Sequence, residues 1–459
     1  MFKIIIIFLS VILLVGCTKS NEEVNHFEKG QNYLDTFEYD EALSEFQSGI
    51  ISTPSEEKNY LSAAEVYSKK GNIDKSIETL KKGFDANASI SISNSLGQIY
   101  LTRGEFDESL KWFETSLLKE PSDKTAIKGK INILSLTNNN EGLKNYYDQL
   151  DLGTFDSEIY IMKAIYLLDD TKEASRLIVQ SNTVDEENTD LSVELRMALT
   201  AYENAKTIHN LSEIIYILLN YGWYETAQLP ITKVLNDNPF YETAYVYQGL
   251  VNLHTSQYDK AIENFVKVRE LNPENIDSYI FHAQVLSMKG EEDNMIALIE
   301  ELLAKEGLNL TPNQFNTIQQ IYYDFGKFEK IESFYTTFSK SIEVQASAQI
   351  IYLDSLIRLE KYNQADLIIK EFNSENLTSA EKAKLKAFDA FTSYKLDRKQ
   401  EGMDRIAEAE NIDNTIAIIH YYKGLMMKDM GRVSEADIAF ERAIELDLRG
   451  DVTKLIEEQ

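Results

Sequence analysis

Residues 97–121 read GQIYLTRGEFDESLKWFETSLLKEP, and the order of small and large side chains in them decides the fold. Gly97 and Ser109 are small and stand twelve positions apart, Tyr100 and Phe113 are large, Gly104 separates two apolar runs, and Pro121 closes the stretch. The order returns as Gly249, Tyr258, Ala261, Phe265 and Pro273, and again as Gly424, Gly431, Ala436, Phe440 and Ala443, always with twelve positions between the two small residues. Upstream it reads Gly30, Tyr33, Tyr39, Ala42, Phe46, Gly49 and Pro54, then Ala64, Tyr67, Gly71, Ser76, Leu80 and Gly83. These first copies are offset by about 34 residues, a period that predicts a stack of helical hairpins. Small residues let two helices approach closely, and large ones fill the space between hairpins. A proline after the second helix cannot continue it.

Further along, the pattern loosens and then recovers. Residues 124–207 read as helical but irregular, with turns expected at Asn138-Asn139-Asn140 and Asp169-Asp170 and a solvated loop at 185–190. Register returns with Gly222, Tyr224, Ala227 and Pro239, and continues through Ala283, Leu286, Gly290 and Ile299, where Met295 replaces the usual alanine. Tyr322, Gly326, Phe328 and Tyr335 make a looser copy, Leu356, Tyr362 and Ala365 another, and 380–410 a hairpin with Ala387, Ala390 and Ala407 as its small contacts. About eleven units are expected.

The spacing resembles the tetratricopeptide repeat family. The resemblance implies an all-α, right-handed superhelical solenoid of antiparallel helix pairs, with N-terminal repeats at 25–123, degenerate repeats at 124–207 and C-terminal repeats at 208–459. It also implies a concave groove lined by the first helix of each pair. Carried onto the second half, the groove positions are Tyr216, Leu219, Tyr247, Leu250, His254, Phe281, Gln284 and Tyr323, an apolar and aromatic strip suited to a protein or peptide partner. Tyr421 and Tyr422 are expected in the groove or over the end of the stack. The family's clamp for a peptide carboxylate uses Lys and Asn; the matching positions here are Phe27 and Gln31, Leu61 and Glu65, Asn94 and Gln98, so that clamp is not expected.

The N-terminus carries its own signal. Lys3 precedes an apolar run from Ile4 to Val15, too short to span a bilayer comfortably, that ends in Leu14-Val15-Gly16-Cys17. This resembles a bacterial lipoprotein signal. The resemblance implies cleavage of 1–16, a diacylglyceryl thioether on Cys17, a short lipidated tether at 17–24, and a chain held on a membrane facing outside the cytoplasm. More than one acyl chain makes such an anchor firm. On that reading the better groove lies in the half farther from the lipid.

Composition narrows the activity. A formal charge of -29 and a pI of about 4.6 disfavour contact with phosphate backbones, so no nucleic-acid partner is expected. Cys17 is the single cysteine, which leaves no intramolecular disulfide and no cysteine-based zinc site. His26, His209, His254, His282 and His420 form no metal-binding motif, and no nucleophile elbow, phosphate loop or dinucleotide fingerprint is present. No cofactor, metal or catalytic residue is expected. Two rivals fare worse. A glycan-binding lipoprotein would be rich in tryptophan, yet only Trp112 and Trp223 occur, both within hairpins. An all-helical glycosidase would need acidic residues on long loops, and the turns here are short. The reading is a scaffold or adaptor of the cell envelope.

Overall fold

A computed structural model describes residues 25–150, 156–184, 188–372, 377–447 and 450–457; the signal segment 1–16 and the tether 17–24, with Cys17, lie outside the described residues. Among the described residues there are 26 α-helices and no strand. The first eight are α1 (His26–Asp35), α2 (Tyr39–Ser52), α3 (Glu57–Lys69), α4 (Ile73–Asn87), α5 (Ile90–Thr102), α6 (Phe106–Lys119), α7 (Lys124–Leu136) and α8 (Asn140–Gln149). Next come α9 (Ser157–Tyr166), α10 (Thr171–Val184), α11 (Thr189–Asn204), α12 (Ile208–Asn220), α13 (Tyr224–Asp237), α14 (Glu242–His254), α15 (Tyr258–Leu271), α16 (Ile276–Met288) and α17 (Glu292–Leu303). The last are α18 (Pro312–Asp324), α19 (Phe328–Phe338), α20 (Ala346–Arg358), α21 (Tyr362–Glu371), α22 (Ser379–Lys395), α23 (Lys399–Ile412), α24 (Ala417–Asp429), α25 (Val433–Leu446) and α26 (Asp451–Glu457). Twenty-four of them form twelve hairpins, one more than the spacing predicts; α11 and α26 stand alone.

The turn inside the hairpin is what repeats most strictly. In eleven of the twelve, the second residue beyond the first helix is left-handed: glycine at 71, 104, 222, 290, 326 and 431, but Phe37, Asn138, Ser256, Glu360 and Asp397 elsewhere. The next N–H reaches back to close the helix end, as from Glu105 to the Tyr100 carbonyl (2.9 Å), Gln257 to Asn252 (2.7 Å) and Arg432 to Met427 (2.9 Å). Asn138 keeps the 34-residue step from Gly104, so the pattern persists into the stretch where the sequence loses it. The α9/α10 turn is the exception.

The twelve-residue spacing is the contact between the two helices of a hairpin. Ser109 Oγ donates to the Gly97 carbonyl at 2.7 Å, and Ser76 Oγ to that of Ala64 at 2.8 Å. The glycine also faces a ring sixteen residues on. A Cβ at Gly97 would stand 2.8 Å from Phe113, at Gly249 2.4 Å from Phe265, and at Gly424 2.4 Å from Phe440. In α22/α23 the pair is Ala390 and Gly402, where a Cβ on Gly402 would lie 2.7 Å from the Ala390 carbonyl.

The described residues of 124–207 form a packed junction. α7 buries Ala126, Ile127, Ile131, Ile133, Leu134 and Leu136, because α13 returns to pack on α7 and α9. Polar contacts mark the seam: Thr232 Oγ1 donates to Asn138 Oδ1 (2.9 Å), and Lys233 meets Asp169 (2.7 Å). The α5/α6 turn touches the α14/α15 turn, where a Cβ on Gly104 would lie 3.0 Å from the Thr255 carbonyl. Arg442 in α25 donates to the Thr36 carbonyl at 3.2 Å, so the last full hairpin meets the first.

Candidate functional site

The eight groove positions do not form one aromatic strip. Tyr216 is half-exposed, while Tyr247, Leu250 and Phe281 are partly buried against the cores. The Phe281 ring lies 5.6 Å from that of Phe265. Burial pushes the Tyr247 hydroxyl up to about 12. His254 stacks face to face on Tyr224 at 3.8 Å, and desolvation lowers its pKa. Two positions need correcting. Leu219 is 9% exposed, because α12 lies between neighbours on both sides and buries nearly a full turn. Tyr323 turns inward to a buried acid: its hydroxyl donates to Asp354 and accepts from Arg358 Nη2 at 3.2 Å.

That acid is the centre of a network. Asp354 and Arg358 are one helical turn apart on α20 and pair at 2.8 Å, with side chains 1% and 13% exposed. Tyr422 of α24 donates to the other Asp354 oxygen at 2.5 Å. The Arg358 guanidinium also covers the Phe328 ring at 5.1 Å. Burial and the neighbouring carboxylate raise both tyrosine hydroxyls far above their ordinary value, so both stay protonated and donate to Asp354. Tyr421 and Tyr422 are both buried: Tyr422 ties α24 to α20 through Asp354, and the Tyr421 ring lies 6.3 Å from that of Phe440 in α25. A satisfied network of this kind fixes the spacing of helices.

Gln284 reaches an open cleft. It lines about 430 Å³ between α16 and α18, together with Ser287, Met288, Asn316, Thr317 and Gln320. Met288 is 61% exposed. The lining is mainly amide and hydroxyl: Asn316 accepts from Ser347 at 3.4 Å, and Gln320 donates to Asp324 at 2.6 Å. Such groups can pair with both N–H and C=O of an extended chain. The sequence missed Asn316, Thr317 and Gln320 because the longer connection from Leu303 to Pro312 displaces the register there.

The other singled-out residues are structural. His26 pairs with Glu45 at 2.6 Å, His420 with the Asn414 carbonyl at 2.8 Å, and His282 with Arg269 at 2.8 Å. Desolvation and the Arg269 charge lower the His282 pKa to about 4. Trp112 sits edge-on to Phe84 at 5.0 Å, and Trp223 is packed between two cores, so neither offers a flat sugar platform. Among the described residues no group of three or more His, Cys, Asp or Glu is placed to hold a metal ion. None of the described helices is long and apolar enough to cross a membrane.

Residues 57–89 and 93–125, which are α3/α4 and α5/α6, each match a family described as Tetratricopeptide repeat. The chain carries tetratricopeptide repeats in these two stretches. Among solved structures it is similar to the yeast Tom70 crystal structure, at 16% identity over 95% of this chain and 98% of that one, with a TM-score of 0.34. It is also similar to the APC/C hetero-tetramer Cut9-Hcn1, at 13% identity over 94% and 95% with a TM-score of 0.38, and to the P58(IPK) TPR domain, at 14% over 94% and 98% with a TM-score of 0.25. No curated protein matches. Tetratricopeptide repeats suggest a scaffold for protein–protein interaction.

Proposed function

We propose that this chain is a lipid-anchored scaffold of the cell envelope, displayed outside the cytoplasm, which holds a protein partner through an extended segment laid along its first-helix face. The α16/α18 cleft carries the reading. It is open, lined mainly by amide and hydroxyl groups together with Asp324, and built on two helices, so it can grip the main chain of a segment. The anchor rests on the lipobox-like Leu14-Val15-Gly16-Cys17.

Each part has its own experiment. In-cell crosslinking and affinity purification of the parent chain are compared with an Asn316→Arg/Gln320→Arg variant. Loss of a specific partner from the variant supports the cleft, and undiminished capture refutes it. Tyr247→Ala with Phe281→Ala tests the aromatic positions in the same way. For the anchor, incorporation of a palmitate analogue and recovery in the membrane fraction should both disappear in Cys17→Ala; a variant that stays labelled and membrane-bound removes this part of the reading.

A further inference from the structure

α26 lies where separate hairpins meet. It packs on α24 and α25, yet Lys454 and Leu455 also face the α18/α19 turn across a cleft of about 280 Å³ whose far wall includes Phe325, Phe328 and Arg358. Val452 is 7% exposed, and Leu455 and Ile456 are partly buried against the same core as Phe391 and Tyr421. Positions 452, 455 and 456 share one face of a helix. The chain enters α26 through Gly450, whose φ of 79° is the left-handed conformation glycine adopts freely.

Two properties separate α26 from the other helices. It has seven residues, too few to be helical in water unaided, so its seat supplies its structure. Its fit is also incomplete, because the cleft beside Leu455 stays open. The seat, by contrast, does not depend on α26. Its floor is the Arg358–Asp354–Tyr422–Tyr323 network, which is satisfied by side chains of α18, α20 and α24 without α26. A preformed seat holding a short, loosely fitted helix is the arrangement from which that helix exchanges.

We propose that the seat formed by Phe325, Phe328, Arg358 and α24 is an interaction site for an amphipathic helix of a partner chain, with aliphatic residues at i, i+3 and i+4, and that α26 occupies it in cis until such a helix displaces it. Asp324 and Lys454 both line this cleft, so the partner helix carries a Lys or Arg just before its central aliphatic residue, where Lys454 stands in α26. This site borders the α16/α18 cleft, sharing Asp324 with it, and accepts a helix rather than an extended segment.

The test uses the full chain with Val452→Asp/Leu455→Asp, which unseats α26 and leaves the seat intact. The probe is a fluorescein-labelled, amidated peptide of residues 450–459. Fluorescence polarisation should show binding to the variant at least tenfold tighter than to the parent chain, and addition of Phe325→Asp should abolish it. A variant with the parent's circular dichroism that binds the peptide no better than the parent overturns the proposal. Hydrogen exchange on the unaltered protein is the second measurement. Amides of 452–457 should exchange at least 100-fold faster than those of α24; exchange as slow as α24 makes α26 a fixed wall, which also overturns it.

Discussion

Replacing Gly249 by alanine tests the packing rule of the hairpin. On an open helix face this change is favourable by about 1 kcal/mol, because alanine loses less backbone freedom on folding. At Gly249 the new methyl would stand 2.4 Å from Phe265 Cε1 and 2.7 Å from Cζ. The ring cannot swing aside, since Phe265 is fully buried and lies against Phe281. Overpacking of this kind costs about 1–3 kcal/mol, which outweighs the propensity gain over most of that range. The expected result is therefore a change of sign, with Gly249→Ala destabilising by about 1 kcal/mol. The assay is urea unfolding followed by circular dichroism, with hydrogen exchange across α14 and α15 to read the local loss, because repeat arrays can unfold in parts. Phe265→Leu supplies the partner variant. In its background the space beside residue 249 is open, so Gly249→Ala becomes neutral or stabilising, and the cycle gives a coupling of about 1–3 kcal/mol. A single variant more stable than the parent, or a double variant additive within about 0.5 kcal/mol, refutes the reasoning.

Other substitutions read other parts of the molecule. Glu360 adopts a φ of 56° in its turn, so Glu360→Gly should raise stability by about 0.5–1 kcal/mol in chemical denaturation; an unchanged midpoint counts against strain there. Gln319 is fully buried with neither amide atom partnered, so Gln319→Leu should stabilise by about 1–2 kcal/mol, seen as a higher unfolding temperature. Asp354→Ala leaves Arg358 without its acid and should cost about 3–5 kcal/mol; a loss below about 1 kcal/mol means that the network does not hold α20 and α24 together. His282 is held neutral in the folded chain, with its pKa lowered to about 4 from an ordinary 6.5. Its contribution is present above pH 6.5 and is lost as pH falls towards 4, so His282→Gln should flatten the stability profile across that window.

The hairpins were legible because one contact imposes a fixed distance in sequence. Gly97 and Ser109 must be small for their helices to touch, and Phe113 must be large to fill what Gly97 leaves open. Turns with glycine, such as Gly104 and Gly431, announce themselves, whereas Phe37, Glu360 and Asp397 adopt the same geometry with side chains that give no sign of it. Gly402 escaped notice because its partner, Ala390, lies in a hairpin whose other marks are faint. The return of α13 onto α7 was illegible for another reason: Thr232 and Asn138 are 94 residues apart and follow no repeat. The same limit applies to the groove. Counting positions along a helix places Tyr323 at the right height, but only Asp354 and Arg358, supplied by the next hairpin, decide that its hydroxyl turns inward.

The bond from Arg442 to the Thr36 carbonyl changes what distance along this chain means. A tether of any kind at the N-terminus fixes α1 first, and through that bond it also limits how far α25 can travel. The last full hairpin, though late in sequence, then lies beside the helix that the tether holds. Cargo held beside α24 would stay close to the surface that carries the tether instead of being projected a solenoid's length away. Measuring the separation of labels at Asp35 and Glu441 would put a length on that leash.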